Sequence, residues 1–232
     1  MKNIIGLDPS LISTALSVSN GSTMKLFNYC RETSATGKTG LKKWFKMSED
    51  YVTLRYIEYR EFESYSEGEL IKLKDYDKIS DMIIHDIETH IDKSQETIIG
   101  IEGYSFNSDA GDLIDLVTFS TLIRKKLYDY ISKDITVLSP STLKLESCKL
   151  TYPAIDIGKK KPKLEYRNYD GIAGGNFTKR EMLMSIIDNT NLKDEWAEHL
   201  RDVKDDLLSI KKVEKPYEDV NDAYLIYNIL NK

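Results

Sequence analysis

Two short apolar runs with nearly the same text constrain this chain most. One is Ile4-Ile5-Gly6-Leu7-Asp8, the other Ile98-Ile99-Gly100-Ile101-Glu102. Apolar residues at consecutive positions predict strands buried on both faces, as inside a sheet covered by helices on either side. Each run ends on an acid. Laid side by side and parallel, the two strands put Asp8 and Glu102 at one height on the carboxyl edge, where open α/β sheets carry their sites. A carboxylate buried there needs a partner. Two close carboxylates repel, and one pKa rises unless a cation intervenes. Taken singly, either acid reads equally well as a solvated strand end or the partner of a lysine. The matched pair is harder to obtain by accident.

The remaining pattern supplies the sheet and its cover. Ile12, Thr14, Leu16 and Val18 alternate, Ser19-Asn20-Gly21-Ser22 is a turn signal, and residues 23–29 continue as a strand, so the chain opens with a meander. Residues 79–91 carry Ile79, Met82, Ile83, Ile87 and Ile91 at helical spacing. Residues 109–131 read as a long helix, 134–138 as a short strand stopped by Ser139-Pro140, and 177–187 as a helix capped by Thr178 ahead of Glu181. A final helix covers 219–230. Residues 51–62 fit either a strand pair or a helix. Residues 145–177, polar and lysine-rich with Gly171, Gly174 and Gly175, read as a loop or an insertion ordered on binding. The order predicts a mixed α/β sheet flanked by helices, one domain over 1–232 with insertions at about 31–78 and 145–177.

Composition removes several classes. With 41% hydrophobic residues, 15 Tyr, 5 Pro and 12 Gly, the chain is neither disordered nor collagen-like. No apolar run approaches the ~20 residues that span a bilayer, and Met1-Lys2-Asn3 runs straight into a strand without the apolar stretch of a secretory leader. Cys30 and Cys148 form neither a metal-type pair nor a framework. A reducing, cytoplasmic location with no membrane partner is expected. The net charge of −5 argues against a generally basic binder of nucleic acid, but the charge is uneven. Residues 144–180 hold nine basic and four acidic side chains, so that segment carries +5 and the remainder −10. Concentrated positive charge is the footprint nucleic acid needs, and an ordinary solvated loop gives the same count.

A third acidic piece is Asp219-Val220-Asn221-Asp222-Ala223. Acids at i and i+3 share a helix face, and small Ala223 permits close approach to a sheet. Acids near a helix start also suit its dipole without any further role. Joined to Asp8 and Glu102, the four carboxylates can hold two Mg²⁺ or Mn²⁺ ions, hard cations that take oxygen ligands.

Together these stretches resemble the RuvC family of Holliday junction resolvases. Gly6-Leu7-Asp8-Pro9-Ser10 before an alternating strand, Ile101-Glu102, and Asp219-Val220-Asn221-Asp222-Ala223 match that family's acidic motifs in order and spacing. Lys144 in Ser139-Pro140-Ser141-Thr142-Leu143-Lys144 and Lys179 in Phe177-Thr178-Lys179-Arg180 fit its two lysines. The resemblance spans residues 3–30, 97–144 and 177–230. The chain departs at Ser10, where the bacterial members have Gly, and at Asp219, closer to the viral and mitochondrial branches. The Lys-, Ile-, Asn- and Tyr-rich composition fits a phage or viral genome, in which case the location is the host cytoplasm.

The resemblance implies an RNase H-like fold and a metal-dependent endonuclease that resolves four-way or branched DNA. It implies two metals about 3.5–4 Å apart, with Asp8 bridging them, Glu102 and Asp222 completing separate coordination spheres, and Asp219 supporting one. Lys179 or Lys144 would stabilise the charged phosphorane. Lys159, Lys160, Lys161, Lys163 and Arg180 are the candidate DNA contacts. Tyr104 and Phe106 are candidates to stack on an unpaired base, or are core residues. The family is dimeric, and the helix at 109–131 is the expected interface.

Other readings are weaker. Thr36-Gly37-Lys38-Thr39 imitates a P-loop, but the required first glycine falls at Glu32. His85, His90 and His199 lack ligand spacing, and Trp44 and Trp196 read as packing residues. An actin- or sugar-kinase-like ATPase needs a glycine-rich loop where Pro9-Ser10-Leu11 stands. A terminase- or flap-type nuclease, or a catalytically inactive DNA-binding protein, stays open.

Overall fold

The computed structural model describes residues 1–31, 41–58, 60, 62–104, 110–156, 158, 164–166, 177–209 and 212–232. The opening meander is β1 (Asn3–Asp8), β2 (Ser13–Ser19) and β3 (Met24–Arg31). Then come α1 (Lys42–Ser48), β4 (Val52–Ile57), α2 (Tyr65–Glu88), β5 (Thr97–Glu102), α3 (Ala110–Tyr130) and β6 (Ile135–Leu138). The chain continues through α4 (Pro140–Thr151), β7 (Ala154–Asp156), β8 (Leu164–Tyr166), α5 (Lys179–Ile187), α6 (Glu195–Asp202), α7 (Lys204–Leu208) and α8 (Tyr217–Leu230).

Six strands form one sheet in the order β4-β3-β2-β1-β5-β6, and β7 and β8 form a separate two-stranded ladder. Within the large sheet β2 alone runs against the rest. A meander followed by parallel strands added beside β1, with helices on both faces, is the RNase H-like architecture expected from the sequence.

Period-two alternation sorts the side chains between two cores. Ile5, Leu7, Leu16, Val18, Phe27, Tyr29, Ile99 and Ile101 pack against Ile83 and Ile87 of α2 and Phe119, Ile123 and Leu127 of α3. Each such aliphatic side chain contributes roughly 1.5–3 kcal/mol on leaving water. On the other face, Ala15 and Leu26 pack against Val220, Ala223, Tyr224 and Ile226 of α8, backed by α5 and α6. That second face also carries Gly6 and Gly100, paired across the β1–β5 ladder.

The glycine pair decides how close α8 can come. A Cβ on Gly6 would overlap the Ala223 carbonyl and meet the Tyr227 amide at 2.8 Å. One on Gly100 would run into Ile226 and lie 2.8 Å from Leu230 Cδ1. Only strands bare at these positions let the helix rest on them. The Ser17 hydroxyl then donates to the Ala223 carbonyl at 2.8 Å, tying β2 to the same turn of α8.

The structure differs from the sequence reading in several elements. The helix expected from Ile79 begins at Tyr65. Its first turns leave Tyr65, Leu70 and Leu73 exposed, so no apolar stripe marks them. Ser64 caps it instead, accepting from the Glu67 amide at 3.3 Å. The open stretch 51–62 contains strand β4. Residues 145–151, expected as part of a loop, belong to α4, which buries Leu143, Ser147 and Cys148. Pro140 stops β6 and also starts that helix, the one helical position where its missing N–H is no loss.

Candidate metal centre

Strand register delivers the first two acids. Leu7 pairs with Ile101, so the next residues, Asp8 and Glu102, stand level at the carboxyl ends of β1 and β5. By alternation they share the face of Gly6 and Gly100, beneath α8. The third acid, Asp222, lies on α8 beside Ala223, where the helix rests on β1. Carboxylate oxygens of Asp8, Glu102 and Asp222 all lie within 4.8 Å of one another. Asp8 and Asp222 are buried and Glu102 is half-buried.

Two lysines neutralise part of this charge. Lys179, at the first position of α5, donates a hydrogen bond to Asp222 Oδ2. A lysine is unfavourable at a helix N-terminus, and here the acids above it compensate. The Thr178 amide donates to Glu181 Oε2 at 2.6 Å, fixing that helix start as the sequence predicts. Lys144, on α4, acts on Glu102 through space. Asp219 sits one turn before Asp222 and is engaged separately. Lys215 Nζ donates to both its oxygens at 3.1 Å, and the Ser13 hydroxyl bonds to it. Asn28 Nδ2 in turn donates to Ser13 Oγ at 3.0 Å.

The electrostatics follow from burial. The Asp8 carboxyl is pushed well above its ordinary value by burial and then by the neighbouring charge of Glu102, against the pull of Lys179. Glu102 is raised by burial, with Asp222 adding and Lys179 and Lys144 opposing. Burial lifts Asp222 to about 8 despite Lys179, and lifts Asp219 despite Lys215. Burial works against the Lys179 ammonium too, but Asp222, Asp8 and Glu102 outweigh it and its pKa rises. Cys30, near Asp219, is pushed up to about 12 by burial.

The donor set suits a divalent cation. Its atoms are hard carboxylate oxygens, the choice of Mg²⁺ and Mn²⁺. Ligand oxygens on one Mg²⁺ stand about 3–4 Å apart, given bonds of about 2.1 Å. The observed spread therefore needs a closure of at most about 1–2 Å. Among the described residues, Asp222 Oδ1 is buried with no hydrogen-bond partner. Such an atom is costly unless something positive meets it.

The other candidates are placed differently. Tyr104, just beyond Glu102, has one ring face under the Arg124 guanidinium, 4.5 Å from its centroid. Its hydroxyl accepts from Arg124 Nη1 at 3.0 Å. Arg180 donates to the Leu208 carbonyl at 3.2 Å. Phe106, Lys159, Lys160, Lys161 and Lys163 lie outside the described residues. Trp196 and Trp44 are buried, as expected of packing residues, and His199 bonds to the Tyr217 hydroxyl at 2.8 Å. Lys215 was not anticipated from the sequence, although its i,i+4 spacing to Asp219 was a usable signal. A cavity of about 520 Å³ lies elsewhere, lined in part by Arg60 and Lys72 against Glu58, Asp75, Asp112 and Asp115. Its acidic excess disfavours a phosphate backbone.

Among solved structures the chain is similar to two of RuvC. One, T. thermophilus RuvC in complex with Holliday junction substrate, matches at a TM-score of 0.46 and 8% identity, over 100% of this chain and 95% of that one. The other, the Thermus thermophilus RuvC structure, matches at 0.45 and 9%, over 99% and 95%. No protein-family model and no curated protein matches the chain.

Proposed function

We propose that this protein is a divalent-metal-dependent endodeoxyribonuclease that cuts four-way or branched DNA. One observation carries the reading: acids from β1, β5 and α8 converge, with carboxylate oxygens within 4.8 Å of one another, around a buried oxygen that has no partner among the described residues. The order and spacing of the acidic motifs support the substrate class.

Asp8, Glu102 and Asp222 would hold Mg²⁺ or Mn²⁺, two ions in the cutting state, with Asp219 in support. The cation supplies Lewis-acid activation of water and of the phosphodiester. The chain's own residues do the rest. Lys179 and Lys144 place positive charge beside the phosphate as its negative charge grows. The water oxygen bonds to phosphorus, the P–O3′ bond breaks, and a proton passes to the leaving oxygen, giving 5′-phosphate and 3′-hydroxyl ends. The basic run Lys159–Lys163, Arg180 and Tyr104 belong to the proposed DNA surface. A homodimer through α3 completes the reading, in keeping with the exposure of Ile114, Tyr128 and Tyr130 on that helix.

The test compares labelled four-way, flap, duplex and RNA–DNA substrates with Mg²⁺. Asp8→Asn and Glu102→Gln are each expected to lower the cutting rate by about 100-fold or more while branched-DNA binding persists. A near-normal rate in either variant overturns the site assignment. Preference for a flap over a four-way junction overturns the substrate class alone.

A further inference from the structure

The cavity of about 520 Å³ between α2 and α3 has no part in the chemistry proposed above. Its size is that of a recognition site. Leu11, Ile57, Ile71, Tyr76, Ile79 and Leu116 give it apolar walls. Ile12 and Phe62 also line it, and both are about half exposed, at 50% and 47%. Leu70 and Leu73 on α2 and Ile114 on α3 add exposed apolar side chains to the two helices that flank it. Apolar surface left open in this way marks an interaction site.

Charge narrows the occupant. The lining holds Glu58, Asp75, Asp112 and Asp115 against Arg60 and Lys72. Lys72 is already taken, 3.1 Å from Glu69 and 2.8 Å from Asp115. An adjoining recess brings in Lys78. Counting Glu69 and Lys78 with the lining, five acids still face three bases. Glu58, Asp75 and Asp112 have no ion pair among the described residues. A nucleic-acid backbone is repelled by this excess. A purely apolar ligand would take the rim acids out of water with no partner. A bare metal ion makes no use of the apolar walls. Lysine and arginine match both features, with apolar stems below charged heads.

We propose that this groove docks a segment of a partner protein, one that presents apolar anchors flanked by lysine or arginine and lies between α2 and α3. A second copy of this chain fits less well, since its net charge is −5. One wall of the groove belongs to the loop that follows Asp8, through Pro9, Ser10, Leu11 and Ile12. Thr14 steadies that loop, its hydroxyl donating to the Ser10 carbonyl at 2.8 Å and accepting from the Ser10 amide at 3.1 Å. A docked segment therefore rests against the loop leading out of the metal centre, from the opposite face of the sheet. The proposal stands whether or not the protein cuts DNA.

The experiment measures fluorescence anisotropy of a labelled amphipathic peptide of leucine, lysine and alanine, with leucines at helical spacing, titrated with the full chain at physiological salt. Saturable one-to-one binding is expected, and counterparts with glutamate for lysine or alanine for leucine are expected not to bind. Glu58→Gln with Asp112→Asn should weaken binding by about fivefold or more, and Phe62→Ala should weaken it as well. Glu195→Gln with Glu198→Gln removes the same charge from exposed positions on α6 and should leave it unchanged. No saturable binding overturns the proposal, and that arm needs no variant to fold. Equal binding of the alanine counterpart, or equal loss in the two charge variants, reduces the effect to general attraction and overturns it too. A wild-type dimer that Phe62→Ala converts to monomer in sedimentation assigns the groove to a second copy and overturns the partner segment.

Discussion

Burial shifts the Asp222 carboxyl strongly, and its titration makes a solution prediction. Its ordinary value is 3.8, and burial lifts it to about 8 in the folded protein. Between those two values the folded chain keeps a proton that the unfolded chain releases. The unfolded state thus binds fewer protons, and stability falls as pH rises through that window. Below it both states are protonated and the effect vanishes. The melting temperature of the metal-free protein is therefore expected to drop from pH 5 to pH 8, and Asp222→Asn is expected to flatten that drop. Mn²⁺, which favours the ionised carboxylates, should raise the melting temperature more at pH 8 than at pH 5. A thermal melt series that rises with pH, or a metal effect larger at pH 5, contradicts the placement of Asp222. The neighbouring acid shows what sequence spacing leaves out. Asp219 and Asp222 look equivalent at i and i+3, yet one answers to Lys215 and the other to Lys179. Lys215 is four residues from Asp219, within reach of a spacing argument, whereas Lys179 reaches Asp222 only because α5 packs beneath α8.

The packing of α8 on the β1–β5 pair is the joint on which the centre depends. Gly6→Ala is expected to destabilise the protein by about 1–3 kcal/mol or more, because its new methyl meets the Ala223 carbonyl, which is backbone and cannot step aside. Gly100→Ala should cost less, since it meets side-chain atoms of Ile226 and Leu230 rather than backbone. Urea unfolding of the two variants gives the ranking, and a larger loss for Gly100→Ala would mean that α8 sits elsewhere. Gly6→Ala should also lower Mn²⁺ affinity, because lifting α8 carries Asp222 away from Asp8. These two strands were the most legible part of the chain. Their twin texts specify the parallel pairing, the register and the shared height of Asp8 and Glu102, since a buried strand has no freedom to slip without exposing its isoleucines. Helix α4 was illegible because Pro140 serves two elements at once. The first half of α2 was illegible because it packs too little to show an apolar stripe. Helix α6 was missed although Trp196 anchors it, donating to Asn221 Oδ1 at 3.0 Å. That pairing joins residues whose proximity no local pattern reveals.

Across the entire protein, charge is the feature that separates the proposed roles. The chain carries −5 overall, while residues 144–180 carry +5. A net acidic remainder disfavours a phosphate backbone relative to that segment, so binding should be oriented as well as salt-dependent. Neutralising Lys159, Lys160 and Lys161 together is expected to weaken four-way DNA binding and to flatten the plot of log affinity against log salt, by about 0.9 for each phosphate that is no longer neutralised. Gel-shift titrations over a range of KCl concentrations measure it, and an unchanged slope removes that run from the DNA surface. The three converging acids also come from opposite regions of the chain, two on strands formed early and Asp222 on α8. During synthesis the ribosome releases β1 and β5 long before α8 exists. A translation product cut short upstream of α8 possesses two of the three acids and a bare sheet face. Under the proposed function, the cell then meets an unstable fragment rather than an unsupervised DNA cutter, a safeguard that needs no inhibitor.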